Sequence, residues 1–143
     1  MNNSNVLQLL TRQHRADGEK CRQLLKDIQQ QQDKKIVKEE ILAFWQRDLQ
    51  KHVDAEERVL LPFLVKNRFN YEFINVLKRE HDTIRLLAQR LPFHDDGYYL
   101  YKAFVKLVDQ HTYFEDEIVF RKMKEDISAQ ELEQLDRSMQ LYC

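Results

Sequence analysis

Turn-forming residues are scarce in this chain, whose 143 residues include only two glycines and two prolines. An all-β fold joins many short strands through turns that need such residues, so that class is excluded. Cysteine is equally scarce. Cys21 and Cys143 are too few for a disulfide framework, and both thiols are expected to be reduced. No apolar run approaches the roughly 18 residues of a membrane span, and the polar Met1–Asn5 start has no mark of a signal peptide. The net charge is −1, with Lys and Arg scattered among Asp and Glu, so no basic face gathers for nucleic acid. The expectation is a cytoplasmic protein with neither membrane nor nucleic acid as partner.

What is present is helical patterning. A hydrophobic share of 43% beside 33% charged residues suits amphipathic helices joined by short loops. The first segment runs from about Ser4 to Gln31, with Leu7, Leu10, His14, Cys21, Leu24 and Ile28 on one stripe. The second starts after Asp33, a good N-cap, and reaches about Asn67 on the stripe Trp45, Leu49, His52, Glu56, Val59 and Phe63. Pro62 should kink or tighten its last turns. The third opens at Asn70 and carries Ile74, Leu77, His81, Ile84, Ala88 and Leu91 before Pro92 stops it. Asp95 and Asp96 are cap candidates for the fourth, which runs from about Tyr98 to Lys124 with Phe104, Val108, His111, Glu115 and Ile118. Ser128-x-x-Glu131 is a capping box for a short closing helix that faces the core with Leu132, Leu135 and Met139. One all-α domain over residues 1–143 is the expectation: an up-down-up-down antiparallel four-helix bundle with a short extra C-terminal helix.

Two copies of one pattern stand out, His52-x-x-x-Glu56 and His111-x-x-x-Glu115, each preceded by a helix bearing its own histidine, His14 or His81. On a helix, residues four apart point the same way. Each histidine sits where a bundle would place Leu or Ile, which is costly unless its ring nitrogens are satisfied. One shared site accounts for all four. Depth agrees: His14 lies 17 residues before Gln31 and His52 lies 18 after Lys34, both about 26 Å from the first turn at 1.5 Å per residue. Across the third turn, His81 precedes Leu91 by 10 residues and His111 follows Tyr98 by 13.

Imidazole and carboxylate suit iron, with zinc and manganese as alternatives, and the absence of cysteine from this layer argues against a thiolate zinc site. The candidate ligands are His14, His52, Glu56, His81, His111 and Glu115. Glu56 and Glu115 are placed to bridge a pair of irons, with the four histidines as terminal ligands and positions left open for a small ligand. Other residues take plainer roles. His94 reads as a solvated loop residue, Cys21 as a core thiol, and Phe44, Trp45, Phe104 and Phe114 as packing. Glu57, Glu80 and Glu117 lie off the stripe, where they support ligands or face solvent, while Asp116 can still reach the site if its helix is distorted. Gly18, one turn after His14, makes room either for an exogenous ligand or for a close helix contact. Arg85, one turn after His81, is placed to pair with a carboxylate or to cap an anion.

The ordered set, with His52-Val-Asp-Ala-Glu56-Glu57-Arg-Val-Leu-Leu-Pro62 and Glu80-His81 as its most distinctive parts, resembles the hemerythrin-like, or HHE cation-binding, family. The resemblance spans His14 to Glu117. It implies a four-helix bundle around a non-haem, oxo- or hydroxo-bridged pair of iron ions cycling between Fe2+ and Fe3+. It also implies binding of dioxygen, nitric oxide or peroxide in sensing, storage or detoxification. Oxygen carriers of that family supply two histidines from the third helix, whereas Arg85 follows His81 here. Their fourth helix pairs its histidine with an aspartate five residues on, so Glu115 and Asp116 compete for that role. The cysteine-bearing N-terminal extension of cluster-repair relatives is not seen before His14. Two other function classes stay open: a di-iron peroxidase or oxidase, and a structural or interaction bundle without metal. The oligomeric state is open as well.

Overall fold

A computed structural model describes residues 7–93 and 97–142. Five helices and no strand occur among them: α1 (Gln8–Gln29), α2 (residues 34–66), α3 (Tyr71–Arg90, closed by a 3-10 turn Leu91–Phe93), α4 (residues 98–126) and α5 (Ala129–Gln140). The caps follow from side-chain chemistry. Asp33 accepts from the Lys35 and Ile36 amides, Asn70 from Glu72 and Phe73, and Ser128 from Glu131, each relieving amides that a helix start leaves unpaired. The Ser4 start, the Asp95 and Asp96 caps, His94 and Cys143 lie outside the described residues.

With so little glycine, two helices end on residues forced into the left-handed region. Gln31 (φ 55°) and Arg68 (φ 53°) close α1 and α2. Behind them Gln32 N bonds Asp27 O, and Phe69 N bonds Leu64 O, both at 3.0 Å. This is the six-to-one closure of a Schellman motif, reinforced after α2 by Phe69 and Leu64 sharing one apolar cluster.

Helices α2 and α4 are not regular. Three π-helical turns interrupt them, at Trp45–Leu49, Glu56–Leu60 and Glu115–Val119. Each adds a residue to one turn and rotates the remainder of its helix. The buried stripe of α2 is therefore Phe44, Leu49, Val53, Glu56, Leu60 and Leu64, with a five-residue step across the first π turn. Trp45, His52, Val59 and Phe63 of the expected stripe are only half-buried. On α4 the residue carried inward after Glu115 is Val119, and Ile118 is exposed. Pro62 does not tighten the end of α2. The Leu61 amide reaches back five residues to Glu56 O, and the widened turn accommodates a ring that has no N–H and would crowd the carbonyl four residues back.

The core is two apolar clusters with a polar layer between them. One contains Leu7 just before α1, Leu10 of α1, Leu60 and Leu64 of α2, Ile74 and Leu77 of α3, Val119 and Met123 of α4, and the apolar face of α5. The other contains Leu24 and Ile28, Val37 and Ile41, Ile84 and Leu91, and Tyr101 and Phe104. The most extensive packing is between α1 and α4. On every long helix, a buried polar residue separates the segment feeding one cluster from the segment feeding the other: His14, Glu56, His81, then His111 and Glu115. No described helix is long and apolar enough to cross a membrane.

Candidate metal centre

Glu56, His81, His111 and Glu115 are all buried, and each offers a ligand atom within 4.8 Å of the others. His81 Nε2 lies 2.9 Å from Glu56 Oε1 and 3.1 Å from His111 Nε2. His111 Nε2 lies 2.7 Å from Glu115 Oε1. His14 joins from α1, its Nε2 3.6 Å from a carboxylate oxygen of both Glu56 and Glu115. His52 stands slightly apart. Its side chain is 18% exposed and its Nδ1 donates to Asp17 Oδ2 at 2.9 Å. The ring still lines a cavity of about 20 Å³ together with His14, Glu56, His111 and Glu115. Leu49, Val53, Ile84 and Val108 supply the apolar walls of that cavity, whose size is that of one or about two water molecules.

The two π turns that begin at Glu56 and Glu115 belong to the site as much as to the fold. Glu115 points inward with 1% of its side chain exposed, while the neighbouring Asp116 accepts from His14 Nδ1 at 2.7 Å. Glu115 thus faces the cluster, and Asp116 backs an imidazole. Glu80 does the same for His111, accepting from Nδ1 at 2.7 Å. Glu117 pairs with Arg121 at the surface. Arg85 takes the first of its two expected roles, bonding Glu57 and Asp54. Asp17 was not singled out in the sequence. Its place three residues after His14, one helical turn along the same face, was the available signal.

Electrostatics divides the two central carboxylates. Burial pushes Glu56 up, but hydrogen bonds from His111, His14 and His81 outweigh it and hold Glu56 well below the usual carboxylate range. Burial and the adjacent Glu56 charge push Glu115 up to about 6, against attraction from His111 and His14. Burial lowers His14 and His111, yet the Glu115 carboxylate and the hydrogen-bonded carboxylates around each ring raise both well above an ordinary histidine. Two like charges crowded in one dry site produce such a split.

The residues present fit a metal. Both Glu115 oxygens and His81 Nδ1 are buried without a hydrogen-bond partner, a condition that costs about 1–3 kcal/mol per group. Glu115 Oε1 lies 2.7 Å from His111 Nε2 without hydrogen-bond alignment. The donor set is imidazole and carboxylate, and the buried Cys21 belongs to an apolar cluster instead.

A family model, the hemerythrin HHE cation binding domain, matches residues 5–123. The chain belongs to the hemerythrin HHE family. The match takes in α1 to α3 and α4 as far as Met123, so it includes every residue of the polar layer and ends before α5. Comparison with curated proteins found no match, and neither did comparison with solved structures. Among hemerythrin HHE features, the chain presents a His and Glu cluster able to hold a metal ion.

An open groove of about 550 Å³ lies outside this centre, lined by residues of α1 and α4. His14 and Thr112 line both the groove and the small inner cavity. Gly18 lines the groove too, and the atoms nearest to a Cβ there would be those of the Arg22 guanidinium, from 3.4 Å. The missing side chain therefore opens space beside His14 and does not serve a close contact with another helix.

Proposed function

We propose that this chain is a single-domain, non-haem di-iron protein that binds a small ligand such as dioxygen, nitric oxide or peroxide. The observation that carries the reading is the convergence of Glu56, His81, His111 and Glu115 in one buried layer, with Glu115 unsatisfied and His14 against both carboxylates. His14, His52, His81, His111, Glu56 and Glu115 would hold the metals. When bound, a pair of irons supplies reversible one-electron chemistry and open positions for a ligand.

The chain's own residues define what can reach such a centre. The small cavity of about 20 Å³ with its four apolar walls supports a ligand of one or two heavy atoms over an organic substrate. Asp116, Asp17 and Glu80 hold imidazoles by Nδ1, which leaves Nε2 as the free donor atom of each neutral ring. The sharing of two end clusters by opposite ends of successive helices supports the up-down-up-down antiparallel four-helix arrangement. The packing of α5 residues Leu132, Leu135 and Met139 into one of these clusters supports a single domain. The free, buried Cys21 is in keeping with a cytoplasmic setting.

The test is metal analysis of purified protein followed by titration of the reduced form with nitric oxide, dioxygen and peroxide. Two irons per chain and a ligand-dependent absorption band are expected. Protein that takes up no iron, zinc or manganese would overturn the reading. Catalytic turnover of peroxide in place of stable binding would assign the same centre to a peroxidase.

A further inference from the structure

Three of the four site imidazoles are held from behind, each by a carboxylate on a different helix. Asp116 of α4 holds His14 of α1, Asp17 of α1 holds His52 of α2, and Glu80 of α3 holds His111 of α4. One more pair would close the ring, from a carboxylate of α2 to His81 of α3. Glu57 stands at that place and does not make the bond. Its Oε2 is 3.7 Å from His81 Nδ1, and that nitrogen is buried without a partner. Arg85 Nη1 instead grips both Glu57 oxygens, at 2.6 and 2.5 Å, while its Nη2 holds Asp54 at 2.8 Å. Lys78 adds a bond to Glu57 Oε1 at 3.2 Å.

We propose that Asp17, Glu80 and Asp116 are positioning residues for the metal centre, and that Arg85 withholds Glu57 from His81, leaving His81 the most weakly held ligand. This inference rests on the metal-centre reading above. A carboxylate that accepts from Nδ1–H fixes the tautomer, aims Nε2 and makes it a better donor. His81 lacks that support although a carboxylate of the right kind stands within 4 Å. Breaking the Arg85 grip frees Glu57 to close the remaining gap. The centre is then unequal by construction, three imidazoles braced and one loose, and metal leaves from the loose side first.

The experiment loads zinc or ferrous iron into wild type and variants, then follows metal release into an excess of coloured chelator. Melting of the metal-free proteins is recorded alongside. Asp17→Ala, Glu80→Ala and Asp116→Ala should each speed release about 10–100-fold, more than any change in metal-free melting accounts for. Asp116→Asn, which keeps an acceptor without the charge, should fall between. Arg85→Gln should act with the opposite sign, slowing release about tenfold, and the double variant Arg85→Gln/Glu57→Ala should lose that gain. Glu57→Gln alone should change little.

Release that is unchanged in Asp17→Ala, Glu80→Ala and Asp116→Ala overturns the positioning roles. Faster release from Arg85→Gln, or a gain that survives in the double variant, overturns the role given to Arg85. Wild type that loads no metal overturns the underlying metal-centre reading itself, an outcome distinct from both.

Discussion

Replacing Glu115 with glutamine should push the protein in opposite directions depending on whether metal is present. Without metal, Glu115 is buried beside Glu56 with neither oxygen bonded, and its carboxyl is raised from 4.5 to about 6. The folded carboxyl therefore keeps its proton up to about pH 6, while the unfolded one releases it near pH 4.5. Between those values the folded state binds more protons, so stability falls as pH rises. Above about pH 6 the full penalty is present, and below about pH 4.5 it is gone. At 1.36 kcal/mol per pH unit the penalty is about 2 kcal/mol. Glutamine keeps the shape and removes the charge. In chelator at pH 8, Glu115→Gln should melt roughly 4–8 °C above wild type, taking about 2–4 °C per kcal/mol for a chain of this size. At pH 4 the two should coincide. With metal added at pH 8 the order should reverse, because wild type gains binding energy that the variant has lost. Differential scanning fluorimetry at two pH values, with and without metal, reads all four conditions. A chelated Glu115→Gln protein that melts below wild type at pH 8 would refute the reasoning, since Glu115 would then be a structural group and not a charge awaiting a cation.

Gly18→Leu should fill part of the groove beside His14 while leaving the fold intact, because the nearest atoms are the flexible end of Arg22. Helix propensity favours the change by up to about 1 kcal/mol; stopped-flow binding of nitric oxide should slow, and an unchanged rate would exclude the α1–α4 groove as the route in. Cys21, fully buried and pushed up to about 12 by burial and by Asp109 and Asp17, should resist thiol reagents. In a Cys143→Ser background at pH 8.5, about one Cys21 in 3,000 is thiolate against about half of ordinary thiols, so labelling should await unfolding by guanidinium.

Much of this layout was readable because two of the helices are regular. Every residue expected on the α1 and α3 stripes from Leu7 to Ile28 and from Ile74 to Leu91 is buried. The three caps at Asp33, Asn70 and Ser128 were also readable, since one side chain and the next few amides make them. On α2 and α4 a fixed helical period fails after the first π turn. Trp45, Val59, Phe63 and Ile118 consequently fall off the buried face that Phe44, Leu60, Leu64 and Val119 occupy. Hydrophobic spacing cannot show this in advance, because amphipathic residues such as Trp45 and Val59 satisfy either register. The pairings of Asp17, Glu80 and Asp116 were obscure for another reason. Each crosses between helices, with 35, 31 and 102 residues separating the partners, and local spacing carries no information about such contacts.

The π turns at Glu56 and Glu115 make chain length, more than composition, the sensitive coordinate of this protein. Conservative replacements within Trp45–Leu49 would leave the widened turn in place. A single deletion there would restore an ordinary turn and leave the residues beyond it on the same face, whereas a deletion in the regular turns Gln50–Ala55 would swing everything beyond it by about 100° about the helix axis. Glu57 would then be carried toward the place of Glu56, and Leu60 and Leu64 would leave the buried face. Drift in sequence is tolerated so long as the residue count of the regular turns flanking the π turns stays constant. Inheritance of the centre is thus a matter of counting: an insertion or deletion of one codon in the regular turns of α2 or α4 would do what many substitutions, or a deletion within a π turn, would not.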